Sequence, residues 1–373
     1  MLTLALVLLT QSPNVSEIEA RVKVALEASL KDRPKFVGMT AAFVLPDGTL
    51  GQVALGKSDK EKGIAMVPGD RMLAGSIGKT FFAALALQLV EQGKLDIDAK
   101  VTTYLGYKTW LKRIPNHGAI TLRHLMTHTS GIPEHVAEKD VVDKLFDDPD
   151  KRWKADDIAP LLFDRKPLFV AGKGWSYADA NYIVLGLAIE SVLGPESNCY
   201  KEIERRFLEP LKLANTKPSV TRALPGLVQG YSGPGSPFLP EGPVLKEGKL
   251  AFSPSFEWAG GGFISSSGDL AKWAWNLWGG KVLKPETLAK MVDGVPAKTG
   301  PQDKYGLGAM IEPTSVGVSH GHEGWYPGYL SQTMYLPEHK IAVAVQFNTD
   351  DQRGIGHRTR WFCDVVAKAV LGK

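Results

Sequence analysis

Ala74-Gly75-Ser76-Ile77-Gly78-Lys79-Thr80 opens a run rich in Ala and Leu that continues to about Gln92, with Gly93 as a plausible C-cap. A serine followed three residues later by a lysine, at a helix start, puts both side chains on one face about one turn apart. A serine hydroxyl is a weak nucleophile and needs a neighbouring base. A lysine serves only if burial, another cation or a hydrogen-bond donor shifts it from its ordinary value near 10.4. A serine at a helix N-terminus also has free backbone N–H groups nearby, which can stabilise an oxyanion. Ser-x-x-Lys occurs once in this chain. Two other motifs nearly fit the same residues. A P-loop would need Gly where Leu73 stands, and a nucleophile elbow would need Gly where Ala74 stands.

Upstream of this stretch, Ser16 to about Lys31 reads as an amphipathic helix. Ser16 and Glu19 fit a capping box, and Ile18, Val22, Leu26 and Leu30 form one stripe. Gly38–Leu45 and Thr49–Leu55 flank Asp47-Gly48, a hairpin signal. Downstream, a mostly helical stretch reaches about residue 215. The Pro- and Gly-rich segment Pro225–Pro254 reads as a long surface loop. Strands return at Tyr305–Ile311, Gly328–Leu336 and Lys340–Phe347, and a last helix runs from about Gly356 to Leu371. Strands at both ends with helices between predict an α/β (α+β) fold: one antiparallel sheet built from both chain ends, flanked by helices, with a helical lobe inserted. The α/β lobe takes residues of about 16–75 and 255–373, and the helical lobe about 76–254.

The chain has 373 residues, 44% hydrophobic and 23% charged, with a formal net charge of +4. That is a soluble globular composition with no basic run, which gives no reason to expect a nucleic-acid partner. Residues 1–15 begin with a short apolar run, too short to span a membrane, and read as a signal peptide, though one lacking an initial Lys or Arg and a clean Ala-x-Ala site, with a disordered N-terminus as the alternative. This predicts a periplasmic or secreted protein with no membrane span. Cys199 and Cys363 form no Cys-x-x-Cys motif, so no structural zinc or redox site is implied, and a disulfide between them would require an oxidising compartment. His124 and His128, and His320 and His322, are spaced like paired metal ligands, but neither pair has an evident third ligand. No metal or cofactor is expected. Trp273, Trp275 and Trp278 read as packing residues.

Two further segments complete a set. Trp175-Ser176-Tyr177-Ala178-Asp179-Ala180-Asn181-Tyr182 precedes an apolar helix, and Gly321-His322-Glu323-Gly324-Trp325 precedes Pro327-Gly328-Tyr329 and a strand. With Ser76 and Lys79, these resemble the three signature motifs of the serine β-lactamase and penicillin-recognising superfamily. The nearer branch holds class C β-lactamases, D-Ala-D-Ala carboxypeptidases, D-aminopeptidases and related esterases, where the second motif is Tyr-x-Asn and the third Lys-Thr-Gly or His-x-Gly. Ile120–Pro133, Gly93–Asp98, Gly260–Ser266 with Asp269-Leu270, and Tyr305–Gly308 resemble the family in the same order along the chain.

The resemblance implies a serine hydrolase working through an acyl-enzyme on a small ester, amide or D-amino-acid peptide. Ser76 would be the nucleophile. Lys79 would accept its proton or hold the base in place, and Tyr177 would pass the proton to the leaving group and help activate water. The oxyanion hole would be the N–H groups of Ser76 and Trp325. Asp179, His322, Glu323, Gly324 and Trp325 would contact substrate, and Tyr326 lies beside them. Three departures matter. Asp179 replaces the usual Asn, Glu323 stands where Thr or Gly is usual, and His322 is no permanent cation. They disfavour a carboxylate-bearing substrate such as a β-lactam. The competing readings are a binding or sensing protein of the same fold that turns over poorly, a true β-lactamase, and a P-loop enzyme, the last disfavoured by Leu73.

Overall fold

A computed structural model describes residues 14–373. The residues read as a signal peptide fall almost wholly outside that range. Helix α1 (Val15–Leu30) buries Ile18, Val22, Leu26 and Leu30, the stripe expected from its period. Its cap differs from the expectation: the Asn14 side chain accepts from Ser16 N–H at 3.3 Å, so the helix begins one residue early and Ser16 lies inside it.

The antiparallel hairpin follows, β1 (Gly38–Val44) and β2 (Leu50–Asp59), with Asp47 Oδ1 accepting from Thr49 N–H at 2.9 Å across the turn. A two-residue strand β3 (Ile64–Ala65) edges it. Helix α2 (Gly78–Glu91) and helix α3 (Asp179–Val192) belong to the helical stretch, and α4 (Ser267–Trp278) returns the chain to the sheet. Strands β4 (Val295–Pro296), β5 (Lys304–Tyr305), β6 (Met310–Thr314), β7 (Gly317–Tyr326), β8 (Tyr329–Leu336) and β9 (Ile341–Phe347) then precede α5 (Thr359–Leu371). The nine strands form one sheet in the order β3-β2-β1-β9-β8-β7-β6-β5-β4. The expected closure is therefore present: the N-terminal hairpin pairs with the last strand, Met39 opposite Phe347 and Val44 opposite Ala342.

Strand alternation divides the interior in two. Met39, Ala41 and Phe43 of β1, with Ile341, Val343 and Val345 of β9, face an outer core shared with α1 and α5. Ala42 and Val44, with Ala342 and Ala344, face an inner core shared with α4 and the helical side. Both β1 and β9 are buried along their whole length, because helices cover both faces. Cys199 lies in the inner core and Cys363 in the outer one, each free and buried.

Helix α2 is apolar nearly all round and buried from Gly78 to Leu87. Phe81 stacks on the fully buried Trp273 of α4 at 4.1 Å between ring centroids. This packing fixes the helix whose first turn carries Lys79. Among the described residues, no helix is long and apolar enough to cross a membrane.

Candidate active site

Ser76 lies in a single turn of 3-10 helix, Gly75–Ile77, that runs straight into α2. Lys79 is wholly buried one turn on, and its Nζ lies 2.9 Å from Ser76 Oγ. The same Nζ donates to Asp179 Oδ1 at 2.5 Å and to the carbonyl of Gly260. Asp179 is the first residue of α3, so the N-terminus of one buried helix faces the first turn of another across an ion pair.

Tyr177 sits just before α3 with its ring beneath the ammonium, 4.9 Å from Nζ to the ring centroid. The ring also packs against that of His128, tilted by 33° with 4.2 Å between centroids. His128 Nδ1 accepts from Ala178 N–H at 3.2 Å and from Asn181 Nδ2 at 3.0 Å, and Ser130 donates to Asn181 Oδ1. Burial, then the positive charge of Lys79, holds the His128 imidazole well below its ordinary range, so it supports Tyr177 as a neutral ring. The Tyr177 hydroxyl is buried without a hydrogen-bond partner. Burial, then the charge of Asp179, pushes its phenol well above the usual value. The Ser76 hydroxyl, short of a formed hydrogen bond, pulls weakly the other way.

Strand β7 supplies the opposite wall. A Cβ on Gly324 would fall 2.0 Å from the carbonyl oxygen of Ala74, so only glycine lets the strand lie against the serine turn. One residue further, the Trp325 backbone nitrogen comes within 2.7 Å of where a Cβ on Gly75 would sit. The amide of Trp325 is thereby brought beside the Ser76 turn. The Trp325 side chain, 37% exposed, and Tyr326 line a cleft of about 190 Å³ together with Ser76, Tyr177 and Asp179.

The structure separates the remaining predicted contacts from that cleft. Glu323 turns to the other face of β7, where Thr359 Oγ1 and Gln352 Nε2 each donate to its Oε1 at 3.1 Å. A one-residue step along a strand reverses the side-chain direction, and it puts this acid away from Ser76. His322 does point inward but is fully buried behind Tyr177, bonded to the Tyr305 hydroxyl at 2.7 Å and the Glu323 carbonyl at 2.6 Å. Burial, then Lys79, holds its imidazole down to about 3. It is a neutral support for the tyrosines and does not line the cleft. Gly324 serves by its close approach to Ala74.

Two acids that the sequence reading missed take their place. Glu134, from the loop after Ser130-Gly131-Ile132-Pro133, and Glu257, from the segment before Gly260, line the cleft beside Ser76. Glu134 accepts the Asp179 N–H at 2.7 Å and the His135 N–H at 2.7 Å, and His135 Nδ1 lies 3.2 Å away. Burial works against its ionisation, but His135 and these donors outweigh it, so the carboxyl sits below its usual range. Glu257 is 7% exposed, and its Oε2 has no partner. Burial, then the nearby Asp179, pushes its carboxyl well above the ordinary range. No short motif marks either residue, since each reaches the site by loop placement. Among the described residues no group of three or more metal-ligating side chains is found; His128 and His322 are buried in the tyrosine cluster, while His124 and His320 are only partly buried.

The beta-lactamase family model matches residues 24–363. The chain belongs to the beta-lactamase family. As a member it is a serine hydrolase, the class expected from its motifs. A D-stereospecific amidohydrolase from Streptomyces sp. is 27% identical, with 92% of this chain and 97% of that chain covered and a TM-score of 0.75. Esterase EstB of Burkholderia gladioli is 30% identical over 49% of this chain and 47% of its own. The teichoic acid D-alanine hydrolase of Staphylococcus aureus is 34% identical over 43% of this chain and 36% of its own. This family member thus spans less than half of those two relatives, and nearly all of the amidohydrolase.

Proposed function

We propose that the protein hydrolyses small amides and esters through an acyl-enzyme on Ser76, and that it favours acyl groups carrying a free amine. The observation that carries the catalytic reading is the 2.9 Å contact between Lys79 Nζ and Ser76 Oγ at a helix start. Ser76 Oγ attacks the carbonyl carbon as its proton passes to Lys79. The N–H groups of Ser76 and Trp325 receive the oxyanion. Tyr177, kept as a neutral phenol by burial, is a proton donor for the leaving group and then orients the water that releases the acyl group.

The preference for an amine rests on charge. Glu134, Asp179 and Glu257 line the cleft; Lys79 pairs with Asp179 and His135 lies against Glu134, which leaves Glu257 without a cation of its own. The unpartnered Oε2 of Glu257 offers an acceptor to an ammonium, whose arrival would favour the ionised carboxylate. A substrate carboxylate finds no fixed cation on β7, since His322 is neutral and buried. The names of the amidohydrolase and of the D-alanine hydrolase support amide or ester bonds of D-aminoacyl groups as the substrate class. The apolar run among the first ten residues supports export to the periplasm or medium.

A fluorophosphonate probe with adduct mapping tests the nucleophile. Labelling is expected on Ser76 and is lost in Ser76→Ala together with activity. Labelling elsewhere, or an active Ser76→Ala, sinks the assignment. Initial rates on D-alanine amide, a neutral p-nitrophenyl ester and nitrocefin test the substrate class, and a clear lead for nitrocefin overturns it.

A further inference from the structure

We propose that Asp179 is where the Ser76 proton comes to rest during acylation, with Lys79 as the relay between them. The inference rests on the serine-hydrolase reading above and concerns a step that reading leaves open. A lysine acting alone as base must turn a lone pair toward the serine. Here Nζ has three oxygen neighbours, Ser76 Oγ, Asp179 Oδ1 and the Gly260 carbonyl, which match the three N–H donors of an ammonium. To accept a proton from Ser76, Lys79 must release one in the same step. The Gly260 carbonyl can only accept a hydrogen bond, whereas the Asp179 carboxylate at 2.5 Å can take the proton itself. Asn, usual at this point in the motif that the segment resembles, would offer the hydrogen bond but not the proton site.

The step balances within these groups. The Ser76 Oγ–H proton moves to Lys79 Nζ, and an Nζ–H proton moves to Asp179 Oδ1. The Oγ–C bond forms, and the carbonyl π pair moves onto oxygen. When the tetrahedral species collapses, the bond to the leaving group breaks. The oxyanion pair re-forms the carbonyl, the Tyr177 hydroxyl gives its proton to the departing atom, and the proton held on Asp179 returns through Lys79 to replace it on Tyr177.

The surroundings of Asp179 suit a proton acceptor. Lys79 faces it from α2, Glu134 and His135 from the loop after Ser130, Tyr177 from its own segment, and Glu257 from the segment before Gly260. Burial raises its proton affinity and Glu134 adds to it, while Lys79 opposes them; the net direction is upward. A carboxylate raised toward the working pH is a better base than an exposed one. The Asp179 carboxylate thus acts through Lys79 as a positioning and proton-holding residue.

The test is the pH dependence of kcat/KM for a neutral p-nitrophenyl ester in wild type, Asp179→Asn and Asp179→Glu. Asp179→Asn keeps the hydrogen bond but leaves the lysine to lose its proton to solvent. Its acidic limb is expected to move up by about two pH units or more, with roughly a hundredfold loss at pH 7 that narrows to within tenfold at pH 10. Asp179→Glu is expected to keep a limb near that of wild type. A uniform loss at every pH in Asp179→Asn, or no loss, overturns the relay. Should Asp179→Asn fail to fold, the Asp179→Glu profile decides: an acidic limb displaced upward as far as a lysine alone would need also overturns it. An active Ser76→Ala would mark failure of the serine reading. An inactive Ser76→Ala with an unmoved Asp179→Asn profile would mark failure of the relay alone.

Discussion

Thr359 Oγ1 of α5 donates to Glu323 Oε1 at 3.1 Å, so the acid in the middle of the third motif is held by the outer layer of the molecule and not by the substrate cleft. Glu323→Thr is therefore expected to leave the ranking of amide, ester and β-lactam substrates unchanged, with each kcat/KM within about threefold of wild type. The loss should appear in stability, at about 1–3 kcal/mol, because Thr359 and Gln352 lose an acceptor in a buried setting. Parallel kinetics and thermal denaturation check both halves.

The ion pair beneath the nucleophile gives a second expectation. Lys79→Met leaves the Asp179 carboxyl buried without its cation, which should cost about 3–5 kcal/mol. Adding Asp179→Asn removes the stranded charge and should recover most of that stability without restoring activity. Denaturant melts of the two single variants and the double variant measure the coupling.

Lys79 and Tyr177 should also behave as one catalytic unit. Nζ lies over the Tyr177 ring at 4.9 Å, and both groups surround the same hydroxyl. Lys79→Ala and Tyr177→Phe are each expected to lose most of kcat, and the double variant to be little worse than the poorer single one. Losses that multiply would show two independent contributions.

Glu257 links stability to pH. Its folded carboxyl is raised by burial, and then by Asp179. Above the ordinary carboxylate range the unfolded chain has released this proton while the folded chain still holds it. Stability therefore falls as pH rises, until the folded group ionises as well. In Glu257→Gln the decline should be shallower than in wild type between about pH 5 and 7. Calorimetry of D-alanine amide binding to Ser76→Ala, in buffers of different ionisation heat, should show proton release that disappears when Glu257→Gln is added.

The limits of the sequence are visible in particular residues. Ser76, Lys79 and Tyr177 were legible because they sit in local motifs whose spacing survives folding. The sheet closure was legible because strand signals occupy both ends of the chain. Ser16 looked like a cap, but Asn14 lies two residues earlier and its side chain reaches forward to the Ser16 N–H, and local competition of that kind is settled by a single turn of geometry. Glu323 and Asp179 both looked like acids at the substrate; Asp179 does line the cleft, but Glu323 faces the other side of β7. Period-two alternation states that neighbours on β7 diverge, but not which of them faces the serine. The Lys79 partner of Asp179 is a hundred residues away in sequence. Glu134 and Glu257 were illegible for the same reason, since their approach depends on how two loops fold over the helix ends.

The sheet that separates the two cores also separates the two cysteines. Both thiols are buried, and burial pushes both above their usual range, so neither reacts while its own layer stays closed. Each can then serve as a clock for a different part of the molecule. Labelling of Cys363 would time the lifting of α1 and α5 from the outer face, and labelling of Cys199 would time the opening of the helical side that holds the serine. If the enzyme breathes near its cleft while its outer layer stays shut, the two clocks will run at different rates in the same tube.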